Sequence, residues 1–325
     1  MSIQFDRKYR LIISEPPQLN SETKIINPES DNKVVVSNQD FRTESLDSII
    51  IEDLNIKAVI SSSKNKSSSS SATLEIKGLS QQNLNFIRDN GVVILQAGFE
   101  NQSSLPIILA GQIINNKSST KGDTTFIKLT VSDAYVPNSS VKVSKEYPEQ
   151  TTYETILEDL ASVYASNGIP LGRPIGALEG KQGVGVDLPI DALKITFGTC
   201  LAGYLDNVMK QVCKECGFTF YISNARLYVE PENYTENATS FNFTSSNILS
   251  LEKSTAKGNT NSKDTQENSQ GYNLEMYLDG RIEVGSFITF NIDGELIGTF
   301  KVISVKHTLD YEGVSWFTNA ELQNV

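Results

Sequence analysis

Cys213-Lys214-Glu215-Cys216 is the one pair of thiols spaced for chemistry, since two cysteines separated by two residues can form a redox disulfide or half of a zinc site. The apolar spacing ahead of it places the pair near the C-terminal end of a helix, whereas a helix N-terminus is what lowers a thiol's pKa. Cys200, the third cysteine, supplies no second CxxC with which to complete a tetrahedral site. The pair therefore reads as structural. His307 is the only histidine, so neither a multi-histidine metal site nor a histidine triad with a spare can be built in one chain; it is expected as a strand residue with an edge or interface hydrogen bond. Gly180, Gly183 and Gly185 form a GxxGxG string, but no clear strand precedes it and no helix follows, so it reads as a loop and not a phosphate cradle. Glu154, Glu158 and Asp159 fall on the exposed side of a helix, where solubility explains them better than a glycosidase pair does. Trp316 lies in an alternating, core-like strand, unlike the clustered exposed aromatics of a carbohydrate-binding module. Catalytic residues, cofactor-binding residues, cofactors and metal ligands are all read as none, and the chain as not an enzyme.

The elements that would position such residues belong to more than one domain. A chain of 325 residues is long enough for two or three, each able to bury its own core. With 28 basic and 39 acidic residues the formal charge is −11, which opposes long-range attraction to nucleic acid or to an anionic membrane. No apolar run approaches the roughly 20 residues of a membrane span, and the residues from Met1 to Arg7 are not a secretory signal. A soluble chain made in a cytosol is expected, with no membrane insertion and no direct recognition of nucleic acid. An odd and small number of cysteines argues against a disulfide framework.

Alternation of apolar and polar residues predicts a strand from Ile3 to Ile13, short strands at Lys33–Val36 and in the region from Ile49 to Ile60, and a strand at Thr73–Lys77. Ser80 is expected to cap a short helix from Gln81 to Arg88 with Leu84 and Ile87 inward, and Asn90-Gly91 to stop it before a strand at Val92–Leu95. Two further strands, Leu105–Ile114 and Thr124–Asp133, are expected around a turn-rich Asn115 to Asp123. From Thr151 the apolar period becomes 3.6: Ile156, Leu157, Leu160, Val163 and Tyr164 share a face, with Thr151 and Glu154 as a capping box. A second helix is expected to bury Leu201, Leu205, Val208, Met209 and Val212, and a hairpin across Ser223-Asn224 follows. The end of the chain reads as β again: Asn247–Lys253, Arg281–Phe290, a turn at Asp293-Gly294, a long strand from Leu296 to Leu309, and Val314–Leu322. Ser61 to Ser71 and Ser254 to Gly271 have almost no apolar residue and are expected to be flexible loops.

The strand, short helix and strand of Ala72–Phe99, with their apolar-Gly-Leu-Ser lead-in and Ala97-Gly98-Phe99 after the second strand, resemble the first barrel of baseplate and tail hub proteins of contractile-tailed phages. Gly111 in an apolar-Gly-x-Ile strand and Asp133 at a strand end fit the same pattern. The Phe197-led helix and aromatic hairpin are similar to the insert of that family, and Phe300–His307, Gly313 and Trp316-Phe317-Thr318 to its second tube domain. The resemblance implies a mainly β fold with an α+β insert: two small tube-type β-barrels, at 1–147 and 237–325, flanking a helix-helix-hairpin domain at 148–236. It implies a homotrimeric structural hub that adapts a sixfold tail tube to a threefold spike, with tail tube protein, trimeric spike and other baseplate components as partners. The location it implies is the tail baseplate of a virion assembled in the host cytoplasm. The alternatives are a tail-tip cell-wall hydrolase and a carbohydrate-binding tail module.

Overall fold

The computed structural model describes residues 7–14, 33–35, 42–44, 48–64, 70–100, 102, 104–133, 140–173, 175, 193–231, 239–243, 245–255 and 270–324. The glycine string at 180–185 lies outside them, as do residues 65–69 and 256–269 of the two expected loops and the stretch from Asn20 to Asn32.

The chain is mainly β. In order, its elements are β1 (Arg7–Ser14), β2 (Lys33–Val35), β3 (Arg42–Glu44), β4 (Ser48–Ile51), β5 (Asn55–Ser63), β6 (Ser71–Lys77), α1 (Gln81–Phe86), β7 (Val92–Phe99), β8 (Ile107–Lys121), β9 (Thr124–Ser132), β10 (Lys142–Tyr147), α2 (Tyr153–Ser166), β11 (Thr199–Tyr204), α3 (Leu205–Cys216), β12 (Phe218–Ser223), β13 (Arg226–Pro231), β14 (Thr239–Phe243), β15 (Ile248–Thr255), β16 (Gln270–Tyr277), β17 (Phe287–Ile292), β18 (Glu295–Asp310) and β19 (Trp316–Asn324).

Thirteen of the strands form one sheet. Its main path runs β15-β16-β19-β18-β5-β6-β9-β8-β7-β1-β4, with β17 hydrogen-bonded to β18 and β14 to β17. The pairings are antiparallel except for β14 with β17. The 16-residue strand β18 holds this sheet together. Its first half pairs with β17, from Glu295 opposite Ile292 to Lys301 opposite Phe287, and its second half pairs with β5, from Ser304 opposite Ser63 to Asp310 opposite Lys57. β19 runs along the other side of both halves, from Phe300 opposite Asn324 to Leu309 opposite Trp316. Among the described residues the sheet does not close into a barrel; its N-terminal and C-terminal parts are continuous through β18 and β19.

Three apolar cores sit against this frame. The first takes the inward residues of β1, β5, β6, β7 and β9, such as Leu11, Ile56, Leu74 and Leu129, and also Leu278, Leu309 and Trp316 from the far end of the sequence. The second is the α+β module, in which α2 and α3 pack together with β10 to β13 through Leu157, Leu160, Tyr164, Leu205 and Met209. The third gathers Met276, Ile288, Phe290, Phe300 and Val302, and accepts Tyr221 from the α+β module. Each fully buried Leu, Ile or Phe contributes about 1.5–3 kcal/mol.

Several boundaries differ from the sequence expectation, each for a local reason. The apolar run Ile49 to Ile60 is two strands, because the chain bends at 52–54; β4 ends up at one edge of the sheet and β5 in its middle. Ser61–Ser63 continue β5, since β18 pairs with them and small hydroxyls are tolerated on the solvated face. β8 runs on through Lys121 as a long two-stranded arm with β9, where the expectation was a turn-rich loop. Ser80 caps α1 by accepting from the Asn83 amide, but the helix ends at Phe86 with Ile87 already extended. Thr152, not Thr151, caps α2 by accepting from the Thr155 amide. Leu201 lies in β11, paired with β10, so the second helix starts only at Leu205. The β12–β13 turn is Asn224-Ala225, one residue later than expected, both with positive φ of 50° and 55° as a tight two-residue hairpin turn demands.

Candidate functional site

One candidate functional surface is a face of the sheet. Along β5, β16, β18 and β19 the residues alternate between the cores and solvent, and over two neighbouring rows the solvent-side residues are all polar. Ser63 stands opposite Ser304 and Ser61 opposite Lys306. Beyond them, Glu321 and Asn319, then Asn273 and Glu275, then Glu252 and Ser250 continue the same two rows. Together they line a groove of about 860 Å³. Ser304 donates to Glu321 at 3.2 Å. The groove carries hydroxyls, carboxamides, the carboxylates of Glu252, Glu275 and Glu321, and the Lys306 ammonium. Its lining includes no aromatic side chain and no histidine; what it offers is a wetted, polar surface.

Two residues further along the strands the same face turns apolar. Val59, Thr308, Phe317 and Tyr277 lie side by side on adjacent strands, and Leu249 and Val314 are exposed nearby. A smaller groove of about 200 Å³ lies there, lined by Phe99, Leu249, Tyr277, Phe317 and Trp316. Arg7 closes it by donating to the carbonyls of Asp310, Gly313 and Val314 at 2.9, 2.6 and 3.2 Å, with its guanidinium carbon 5.5 Å from the Trp316 ring.

The residues singled out by chemical type are scattered. His307 is buried in the middle of the sheet, between β5 and β19, and not at an edge or interface as expected. Its Nδ1 lies 3.0 Å from the Thr318 hydroxyl, which in turn accepts from the Asp279 amide at 2.9 Å. Burial lowers the imidazole pKa to about 4, with Asp279 pulling the other way, so the ring is neutral near pH 7. Cys213 and Cys216 face the second core at the end of α3, and Cys200 is exposed. Burial pushes the Cys216 thiol up to about 12 and Cys213 well above its ordinary range, the opposite of an activated thiolate. Asp159 pairs with Lys145 at 3.2 Å and accepts from the Tyr147 hydroxyl at 3.3 Å. Trp316 is 1% exposed and donates its indole N–H to the Gly98 carbonyl at 3.2 Å. Among the described residues no group of three or more His, Cys, Asp or Glu could hold a metal ion, and no helix is long and apolar enough to cross a membrane.

Gly111 and Asp133, far apart in sequence, meet. A Cβ on Gly111 would lie 2.6 Å from the Ser132 carbonyl oxygen and 3.1 Å from the Asp133 nitrogen. Asp133 is itself buried beside Ser70, whose hydroxyl and amide approach its carboxylate without reaching good hydrogen-bond geometry. Sequence reasoning passed over Glu230, a fully buried acid at the end of β13. A lone Glu between Val229 and Pro231 carries no local signal, because its partners come from three distant segments.

No protein-family model matches the chain, and a search of curated proteins finds no match. Solved structures do share its fold. A tail protein from Neisseria meningitidis superposes with a TM-score of 0.55 at 10% identity, covering 85% of this chain and 94% of its own. The 43 kDa tail protein of prophage MuSo2 from Shewanella oneidensis gives 0.55 at 9% identity, over 85% and 94%. An E. coli component of the type VI secretion system, described as structurally similar to the T4 bacteriophage tail proteins gp27 and gp5, gives 0.51 at 10% identity, over 83% and 73%. At these identities the likeness is one of fold.

Proposed function

We propose that this chain is a structural, non-enzymatic baseplate hub of a phage or phage-like contractile tail. Three copies would form a ring that adapts a sixfold tail tube to a threefold spike. The observation that carries this reading is the fold itself, which superposes, over more than four fifths of the chain, on two tail proteins and a type VI secretion component. The polar groove supports it, because a conduit needs a wall of hydroxyls, carboxamides and like-charged carboxylates that a passing polymer does not stick to. In this reading residues 1–147 and 237–325 are two tube-type units of barrel character and 148–236 is the insert between them, to which β10 at the end of the first unit adds a strand. Three copies then present six near-equivalent units to the tube, through a head-to-tail interface that closes after three. Its partners are the tail tube protein, the spike and other baseplate components; its place is the virion baseplate, assembled in the host cytoplasm; it neither recognises nucleic acid directly nor inserts into a membrane. Sedimentation equilibrium and negative-stain microscopy of the purified chain test this. A threefold ring with a central channel is expected, and a stable monomer under assembly conditions would overturn it. No observation favours a cell-wall hydrolase, and the buried Trp316 speaks against a carbohydrate platform.

A further inference from the structure

Glu230 brings together segments that belong to different cores. Its Oε1 accepts from Lys64 Nζ at 2.6 Å and from Lys301 Nζ at 2.9 Å, and its Oε2 accepts from Arg173 at 3.1 Å. Lys64 follows β5, Lys301 lies on β18, and Arg173 lies in the connection after α2. The carboxylate is fully buried, and the Lys64 and Lys301 side chains are only 9% and 10% exposed. Desolvated charges of this kind persist only when each is met by an opposite charge at hydrogen-bonding distance.

The surroundings show that this is a built junction. The Lys64 amide donates to the Ile303 carbonyl at 2.9 Å, which fixes the chain that carries the ammonium. The Lys64 ammonium lies 6.0 Å from the Tyr221 ring centre and that of Lys301 4.8 Å from the Phe287 ring. Tyr221 belongs to β12 of the α+β module yet packs into the third core, stacked on Tyr228 with ring centres 5.1 Å apart. Its hydroxyl occupies the space that a Cβ on Gly285 would need. A second polar contact, Asn224 to Glu283 at 3.4 Å, lies at the turn of the same hairpin.

We infer that Glu230 is an interlock, one buried carboxylate that fastens the α+β module to the sheet at β5 and β18 so that module and sheet move as one body. Aromatic packing alone, as between Tyr221 and the third core, permits sliding; charge-assisted hydrogen bonds from Lys64 at the end of β5, from Lys301 on β18 and from Arg173 fix both distance and direction. The inference concerns the single chain and does not depend on the ring.

Hydrogen–deuterium exchange of the full chain, comparing wild type with Glu230→Gln, tests it. Neutralising the carboxylate leaves three cations facing a carboxamide. Amides at the junction, in 220–222, 227–230, 285–287 and 301–303, should exchange on the order of a hundredfold faster. Those of α2, β1 and β7 should keep their wild-type rates. Lys64→Met, which removes one cation and leaves the carboxylate with two, should loosen the same amides by about tenfold and serves if Glu230→Gln fails to fold. Unchanged exchange at the junction, or acceleration spread evenly through all three cores, in whichever variant is measured, overturns the interlock.

Discussion

Asp133→Asn should remove a large pH dependence from the stability of the first core. The carboxyl is 4% exposed, and its oxygens have no well-formed hydrogen bond. Burial raises its pKa from 3.8 to about 8, with the Ser70 hydroxyl and the amides of Ser70 and Asp133 pulling the other way. Below pH 4 the group is neutral in both folded and unfolded chains and costs nothing. Between pH 4 and 8 the unfolded chain has released the proton and the folded chain has not. The folded state then binds more protons, and stability falls as pH rises. Above pH 8 both states are ionised and the penalty is constant. At about 1.4 kcal/mol per unit, the displacement corresponds to at most about 6 kcal/mol, and relaxation or water entry around the ion would leave about 3. Asn has nearly the same shape and no charge, so the variant should match wild type near pH 4 and exceed it by about 3–6 kcal/mol at pH 9. Glu283, raised by burial to about 7, slopes in the same direction in both proteins and cancels in the comparison. The assay is denaturant unfolding at several pH values followed by fluorescence of Trp316, the only tryptophan and a member of the first core. Parallel wild-type and variant curves from pH 4.5 to 9 would refute the argument.

Gly111→Ala should cost about 2–4 kcal/mol in the same assay, because the new methyl meets the backbone of Ser132 and not a side chain that can move aside; a change under about 0.5 kcal/mol would show that β9 yields freely. In a thiol titration of the native chain Cys200 should react at once, while Cys213 and Cys216 should react only on unfolding. Three fast equivalents would contradict their burial. The His307 ring resonance should stay at its neutral position from pH 5.5 to 8, since its folded pKa lies near 4 and below the unfolded value. For the same reason His307 makes stability rise with pH between about 4 and 6.5, and a midpoint near 6.5 in the folded protein would contradict the burial argument.

How much of this was legible in the sequence depends on whether a residue's partners were local. The alternation in Thr73–Lys77 and Phe300–His307 identifies strands because neighbours two apart share a face. Ile156, Leu160 and Tyr164 likewise identify α2. Leu201 misled because its spacing to Leu205 and Val208 is helical, whereas β10, more than fifty residues earlier, draws it into a strand. The run Ile49 to Ile60 could not reveal that its halves join distant parts of the sheet. Gly111 and Asp133 stood out through the family resemblance, but only coordinates bring the glycine against the acid's backbone. Lys64 looked like part of a solvated serine loop, and nothing near it announces a buried carboxylate 166 residues away.

The sharing of β18 and β19 sets an order of events during synthesis. Trp316 completes the first core through a hydrogen bond to Gly98, which precedes it by 218 residues. At roughly 5–20 residues per second, translation leaves that core open for about 10 to 40 s after Gly98 is made. During that interval β5 lacks its neighbour β18, and a row of unpaired amides and carbonyls beside Ile56, Ala58 and Ile60 is available to any other strand. The nascent chain is thus most vulnerable to aggregation while its second half is being made, and a chaperone that masks β5 would act in that window.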